Sequence, residues 1–266
     1  MNYANIMQEI KSTRDYKETR VKSELLKEII IAGDTALENH GLDIVLFEDG
    51  EQAKQKLEGK AGYFGKFIGA PHYIAVLSND GRKSKEDAAY IMEMMRFKAH
   101  KEGLASCWIT IPDTDEIKTD LAIDKSRSLC GFLAIGYRYA GIFKKDIQEK
   151  AFRQGAIEIT YLDEWGNTPE WEDLETRGLD QIFYLTRFAP SWGNKQPWKF
   201  LITRNKVVLA VEKDSSTDTD LDTGIIKFYF EKACLDNGIS LKASEIETIE
   251  AFNIPENYEI RALYNI

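Results

Sequence analysis

The sequence has few of the residues that mark a specialised class of protein. Its three cysteines, Cys107, Cys130 and Cys234, form no CxxC pair, so we expect buried thiols in a reducing compartment and no disulfide framework or zinc site. The three histidines show no HxxxH or HExxH spacing, which argues against a histidine metal site. No apolar run approaches the roughly 18 residues of a membrane-spanning helix, so no membrane partner is expected.

Positive charge is also in short supply. The 266 residues carry 35 Lys and Arg against 44 Asp and Glu, a formal net charge of −9. Phosphate neutralisation needs a positive face, so no nucleic-acid partner is expected. The first twenty residues mix acids and bases without the apolar centre of a signal peptide, which predicts a cytoplasmic protein.

The common short motifs of nucleotide enzymes and hydrolases are missing as well. There is no GxxxxGK[ST] loop, no GxSxG turn and no GxGxxG, and Gly59, Gly62 and Gly65 have the wrong spacing for a dinucleotide fingerprint. Asp218, Asp220 and Asp222 resemble the start of a calcium loop that lacks its glycine and its final glutamate. We interpret that segment as an acidic loop in which Asp222 caps a helix.

The hydrophobic fraction of 43% is enough for a sizeable core, and its pattern alternates between helical and extended segments. The first half predicts the helices Val21–Gly33 and Glu86–Gly103 and the extended segments Asp43–Phe47, Tyr73–Leu77, Ser106–Ile111 and Gly131–Tyr137. No Ser/Gly/Pro-rich linker interrupts the chain, so one compact unit over residues 1–266 is expected.

The same order of elements recurs after residue 160. The second half predicts the helices Leu174–Arg187 and Asp222–Asn237 and the strands Phe200–Thr203 and Val207–Val211. Aligning Asp87 with Asp222 brings Gly103 onto Gly238, so helix cap, length and closing glycine agree. We interpret this as an internal duplication with half-repeats at approximately 5–153 and 160–245, although two helices of similar length could also match by chance.

Two segments have the chemistry of a phosphate site and of a planar-ligand site. In Lys11–Tyr16, Lys11, Ser12 and Arg14 offer an ammonium, a hydroxyl and a guanidinium to a phosphate, although a solvated basic turn would look the same. Ala189–Phe200 reads Ala-Pro-Ser-Trp-Gly-Asn-Lys-Gln-Pro-Trp-Lys-Phe, and a proline-bounded turn entering a buried strand would explain only its Pro and Trp residues.

Together these segments resemble the FMN-dependent nitroreductase family, whose chains begin with Arg-Ser-x-Arg-x-aromatic and later carry Ala-Pro-Ser-x-x-Asn-x-Gln-Pro-Trp-x-Phe. The resemblance implies an α+β nitroreductase-like fold with a mixed, largely antiparallel sheet flanked by helices. It also implies FMN as cofactor, NADH or NADPH as electron donor, and a small-molecule acceptor such as a nitroaromatic or a quinone. The flavin then performs the chemistry, and no side chain is expected to act as nucleophile or base.

The resemblance also implies roles for individual residues. Lys66 lies where the family places a lysine near the cofactor, the segment around Thr110 resembles one whose backbone passes the flavin ring, and either Lys150 or Arg153 returns to the phosphate. Surface positions would explain Lys66 and Arg153 equally well. The expected cofactor-binding residues are Lys11, Ser12, Arg14, Lys66, Trp108, Ile109, Thr110, Arg153, Pro190, Ser191 and Asn194.

The order of the two motifs departs from that of ordinary family members, which are intertwined dimers. There the Pro-Ser-x-x-Asn motif follows the first helix, but here residues 34–43 lack it and the intact motif follows the corresponding helix of the second half. The chain is therefore similar to a duplicated, single-chain subgroup, which implies a monomeric pseudo-dimer with one FMN. A flavin-binding storage or sensing protein without turnover, or a reductase with one physiological substrate, remain alternatives.

Overall fold

The computed structural model describes residues 1–38, 41–62, 65–79, 81–139, 151–213, 219–245 and 252–266. The chain divides into two compact units. The first unit is Ile10–Lys150, and the second unit combines Met1–Glu9 with Ala151–Ile266. Lys150, which the sequence offers beside Arg153 as a phosphate ligand, lies outside the described residues.

The described helices and strands alternate along the chain. In chain order they are α1 (Tyr3–Glu9), α2 (Ser23–Asp34), β1 (Asp43–Phe47), α3 (Gly50–Leu57), β2 (His72–Ser78), α4 (Arg82–Lys101), β3 (Ala105–Ile109), α5 (Asp115–Leu121), β4 (Ser128–Gly136), β5 (Thr160–Leu162), α6 (Trp171–Thr176), α7 (Asp180–Thr186), β6 (Trp198–Ile202), β7 (Lys206–Glu212), α8 (Thr219–Asp236), β8 (Lys242–Ala243) and β9 (Tyr258–Asn265). Among these described helices, none is long and apolar enough to cross a membrane.

The first unit is built on an antiparallel sheet with the strand order β1-β2-β4-β3. Strands β2 and β4 are buried along their whole length, which explains why their sequences are continuous apolar runs without polar alternation. Helix α4 contacts β2, β3 and β4, and α2 packs on α4 through Gly33. A Cβ at Gly33 would lie 2.6 Å from Cγ of Met95, so the close helix contact needs a glycine there.

The second unit repeats this topology. Its sheet has the order β5-β6-β7-β9-β8, in which β5 pairs with β6 in parallel and the other pairs are antiparallel. Strands β6 to β9 therefore follow the same first, second, fourth, third order as β1 to β4, which confirms the duplication. Strand β9 lies beyond residue 245, where the sequence pattern placed the end of the repeat.

The two long helices also end in the same way. Gly103 and Gly238 have φ values of +76° and +74°, in the left-handed region that favours glycine. The next residue in each case donates its N–H to a carbonyl five residues back, from Leu104 to Ala99 and from Ile239 to Cys234, both at 2.9 Å. This is the Schellman arrangement, and it bears out the alignment of the two glycines.

Two local predictions are wrong. The single helix Leu174–Arg187 is two helices, α6 and α7, because Gly178 takes a left-handed φ of +68° and ends the first. Apolar positions continue on both sides of this break, so periodicity does not reveal it. Asp222 does not cap α8, since that helix already begins at Thr219.

Candidate functional site

The basic segment, Lys11–Tyr16, is held to the first unit's sheet by main-chain hydrogen bonds. The Thr13 N–H donates to the Ser106 carbonyl at 3.0 Å, next to the start of β3. Further along, the Lys17 N–H donates to the Tyr137 carbonyl at 2.8 Å, just after β4. The segment is therefore fixed by its backbone, which leaves its side chains for a ligand.

The polar side chains of this segment lie around the thiol of Cys107. Burial raises the pKa of this thiol, whereas the guanidinium groups of Arg14 and Arg96 and a hydrogen bond from Ser12 act in the opposite direction. The thiol is thus protonated at neutral pH and is not a nucleophile. Ser12 and Lys11 are half-buried and Arg14 is exposed, so the structure brings the three predicted phosphate ligands together on one segment.

Tyr16 anchors the end of the basic segment. Its half-buried hydroxyl lies 3.4 Å from the Ala134 carbonyl of β4, and burial raises its pKa well above the usual range. Gly136 makes room for this ring, because a Cβ there would lie 3.2 Å from the tyrosine ring and 2.5 Å from Cγ of Pro71. The aromatic position of the motif therefore serves packing.

A buried ion pair lies behind β3. Glu93 and Arg96 of α4 are 0% and 2% exposed, and Nη1 of the arginine donates to both carboxylate oxygens at 2.7 and 2.8 Å. The indole N–H of Trp108 donates to the same carboxylate at 2.6 Å. Trp108 therefore has a structural partner on α4, which fixes the strand that follows the basic segment.

Beyond Trp108, the end of β3 meets the loop that carries Lys66. Ile109 is buried, while Thr110 is exposed and its carbonyl accepts the Gly62 N–H at 2.8 Å. Gly62 has a φ of +89°, and a Cβ there would lie 2.2 Å from the Lys66 carbonyl. The structure thus places the exposed Lys66 in a loop tied to the end of β3.

In the second unit, the conserved-looking letters of Ala189–Phe200 form a tight turn. Gly193, Asn194 and Gln196 have φ values of +56°, +59° and +51°. The Asn194 N–H donates to the Ser191 carbonyl at 3.0 Å, and the Gln196 N–H donates to the Ser191 hydroxyl at 2.8 Å. Pro190 and Ser191 are half-buried at its start, so all three predicted ring contacts belong to one ordered loop.

Both ends of this turn are anchored. The Trp192 N–H donates to the buried carboxylate of Asp222 at 2.9 Å, which gives that aspartate a role that the sequence analysis missed. After the turn, Trp198 and Phe200 enter β6 and are almost completely buried. The Pro-Trp-x-Phe part of the motif therefore packs in the core and positions the polar part.

Arg153 lies in the same unit as the turn and contacts it. Its Nη1 donates to Oδ1 of Asn194 in a short hydrogen bond, and Nδ2 of Asn194 donates to the Phe152 carbonyl at 2.8 Å. The sequence analysis had placed Arg153 at the phosphate and Asn194 at the ring. The structure brings these two side chains together.

Glu93 and Arg96 were not predicted from the sequence. Their signal was nevertheless present, because two opposite charges three residues apart interrupt the most apolar stretch of α4. Gln196, also missed, is a defined position of the motif. Phe152 and Gln154 carried no signal, since only the fold brings their segment to the turn.

These features define the protein as an α+β, nitroreductase-like chain with an internal duplication. A family model described as "Putative TM nitroreductase" matches residues 2–234, and the chain belongs to that family. Curated proteins yield no significant match.

Solved structures agree on the fold. A "putative nitroreductase" from Thermotoga maritima is 15% identical, with a TM-score of 0.62 over 100% of this chain and 93% of that one. A nitroreductase with bound FMN from Bacteroides fragilis is 20% identical, with a TM-score of 0.48 over 57% of this chain and 96% of that one. An FMN-dependent nitroreductase from Clostridium difficile is 24% identical, with a TM-score of 0.46 over 55% and 90%.

Proposed function

We propose that the protein is an FMN-dependent oxidoreductase that takes electrons from NADH or NADPH and reduces a small acceptor such as a nitroaromatic compound or a quinone. Membership of the nitroreductase family supports the reaction class. The observation that supports the cofactor most directly is that both motif segments are ordered by their own backbones, one along β3 and the other as the turn before β6.

The donors on these segments suit FMN. A phosphate that carries almost two negative charges is bound best by cations and hydroxyls that converge on it, and Lys11, Ser12 and Arg14 supply these from one fixed segment. A flat ring needs a slot with a few polar partners at its rim. The turn at Ser191–Asn194 presents main-chain groups in a left-handed conformation that suits such close approach.

When bound, FMN supplies the transfer of a hydride, so the protein has to bind, orient and shield rather than react. The side chains agree with this division. Cys107 is a buried, protonated thiol beside the basic segment and cannot serve as a nucleophile. Trp108, held by Glu93, keeps β3 in position, and the basic segment depends on that strand for its own backbone pairing.

The duplication favours a monomer with a single FMN. Both complementary motif segments are present once in one chain, so a second chain is not needed to supply either. In the second half, the place that corresponds to the basic segment carries acids, and these are held there. Asp173 accepts the Glu170 N–H at 2.9 Å, and Glu175 accepts the Trp171 indole N–H at 2.8 Å. Carboxylates at that place would repel a phosphate.

A cytoplasmic location belongs to the same proposal. All three cysteines lie in the described part of the chain, and each is a buried thiol rather than half of a disulfide. Thiols are kept in this state in reducing compartments.

The test is to purify the protein, identify any flavin by its spectrum and mass, and titrate the flavin-free protein with FMN and riboflavin. Anaerobic addition of NADPH or NADH should then bleach the bound flavin, and a quinone or nitroaromatic should restore its colour. Binding of FMN without faster oxidation of NAD(P)H than free flavin would favour the storage or sensing alternative. Failure to bind FMN would contradict the proposal.

A further inference from the structure

Residues 151–155, called the strap here, run beside the turn of the motif within the second unit. The Gln154 N–H donates to Oε1 of Gln196 at 2.9 Å, and Oε1 of Gln154 accepts from Nζ of Lys199 at 3.1 Å. Gln196 is buried, and the ammonium of Lys199 also donates to the Glu158 carbonyl at 2.5 Å. The strap is therefore bound to the motif at several points.

The strap also fixes the amide of Asn194 at both ends. Oδ1 accepts from Nη1 of Arg153, and Nδ2 donates to the Phe152 carbonyl at 2.8 Å. The same carbonyl accepts from Nη1 of Arg153 at 3.3 Å, which closes a ring of three hydrogen bonds. Because the backbone of Asn194 is itself held in the left-handed region, neither the position nor the orientation of its amide is free to vary.

This contact constrains what Arg153 can do. The phosphate and the ring of FMN lie at opposite ends of the molecule, so two side chains in direct contact serve the same end. We infer that Arg153 is a positioning residue at the ring end of the flavin, where it orients the Asn194 amide and holds a positive charge beside it. The inference rests on the proposed function, and it replaces the phosphate role that chain order alone had suggested for Arg153.

Charge distribution supports the assignment. The basic segment already carries the cations Lys11 and Arg14 and a hydroxyl for the phosphate. Arg153 instead belongs to the unit that carries the turn, and its side chain is half-buried against an uncharged amide. A guanidinium held at the ring end favours the reduced, more negatively charged form of the ligand. It should therefore raise the reduction potential of the bound flavin.

The experiment compares FMN with riboflavin, which lacks only the phosphate. Dissociation constants for both are measured by quenching of flavin fluorescence in the wild type and in Arg153→Gln, Arg153→Lys and Arg14→Ala. Loss of the Arg153 hydrogen bond to the amide should weaken both flavins by the same factor, about tenfold. Arg14→Ala is the matched control, and it should weaken FMN while leaving riboflavin almost unchanged.

Two further readouts separate positioning from general stability. The effect of Arg153→Gln should vanish in an Asn194→Ala background, because the arginine acts through that amide. The reduction potential of bound flavin should fall in Arg153→Gln and be largely retained in Arg153→Lys, which keeps the charge. Circular dichroism checks that each variant is folded.

A selective loss of FMN affinity in Arg153→Gln, with riboflavin unaffected, would make Arg153 a phosphate ligand and overturn the inference. Unchanged affinity for both flavins, or an unchanged potential, would overturn it as well. Failure of the wild type to bind either flavin is a different result, since it removes the proposed function itself.

Discussion

Replacement of Glu93 by glutamine is the sharpest test of the packing behind the candidate site. Glu93 is 0% exposed and accepts three hydrogen bonds, two from Arg96 and one from Trp108. The variant leaves the guanidinium of Arg96, itself 2% exposed, without its counter-charge in a dry environment. Removal of one partner of such a pair costs about 3–5 kcal/mol, so the free energy of unfolding should fall by that amount.

Urea denaturation followed by far-UV circular dichroism measures this loss, because the change does not depend on the tryptophan that the variant disturbs. Glu102→Gln is the matched control on the same helix, where Glu102 pairs with Lys98 at 2.6 Å but remains in contact with solvent. It should cause a far smaller loss. A Glu93→Leu, Arg96→Met double variant should recover part of the stability, since it removes both charges together.

Equal effects of Glu93→Gln and Glu102→Gln would refute the reasoning. That result would mean that water reaches the Glu93–Arg96 pair and that the pair is not a buried one. The position of β3 would then have to depend on its strand pairing alone.

Three other predictions follow from the same structure. His72 is buried between the Val21 N–H, which donates to Nε2 at 2.9 Å, and the Glu48 carbonyl, which accepts from Nδ1 at 2.8 Å. Burial lowers its pKa below the usual 6.5, so the unfolded chain binds the extra proton and stability should fall as pH drops below about 6.5, by up to about 1.4 kcal/mol per pH unit; denaturation at several pH values should show this slope, and His72→Gln should remove it. Arg14→Ala should weaken FMN binding by about 1.5–3 kcal/mol with little change in the melting temperature, and an unchanged affinity in titration would make Arg14 a surface charge. Light scattering combined with flavin absorbance should give a monomer with one FMN per chain, whereas two FMN per chain, or activity regained by mixing Arg14→Ala with Asn194→Ala chains, would contradict the single-chain site.

Local features of the fold were accessible from the sequence. Strand β1 was predicted with its observed bounds, and the ends of both long helices were marked by Gly103 and Gly238, because a left-handed residue at a helix end needs glycine. The break at Gly178 was missed, although it rests on the same physics. There the apolar periodicity of α6 and α7 runs on past the glycine and outweighs its signal.

Contacts between distant segments were not accessible. Strand β9 completes the second sheet by pairing with β7, about fifty residues earlier, and no local pattern specifies that partner. The contact between Arg153 and Asn194 joins residues 41 positions apart in the chain, so their side-chain chemistry alone suggested separate roles.

The sequence by itself determined the composition of the protein's core, the two motif segments and the duplication, since each is written in residues that lie close together in the chain. Only the tertiary structure decided which of those residues act on the same part of a ligand and which serve packing. Tyr16, Trp108 and Asp222 are fixed by partners on other elements. The physical reason is that propensity and periodicity act over a few residues, whereas hydrogen bonds and buried charges are satisfied by whatever the packed sheets and helices bring within reach.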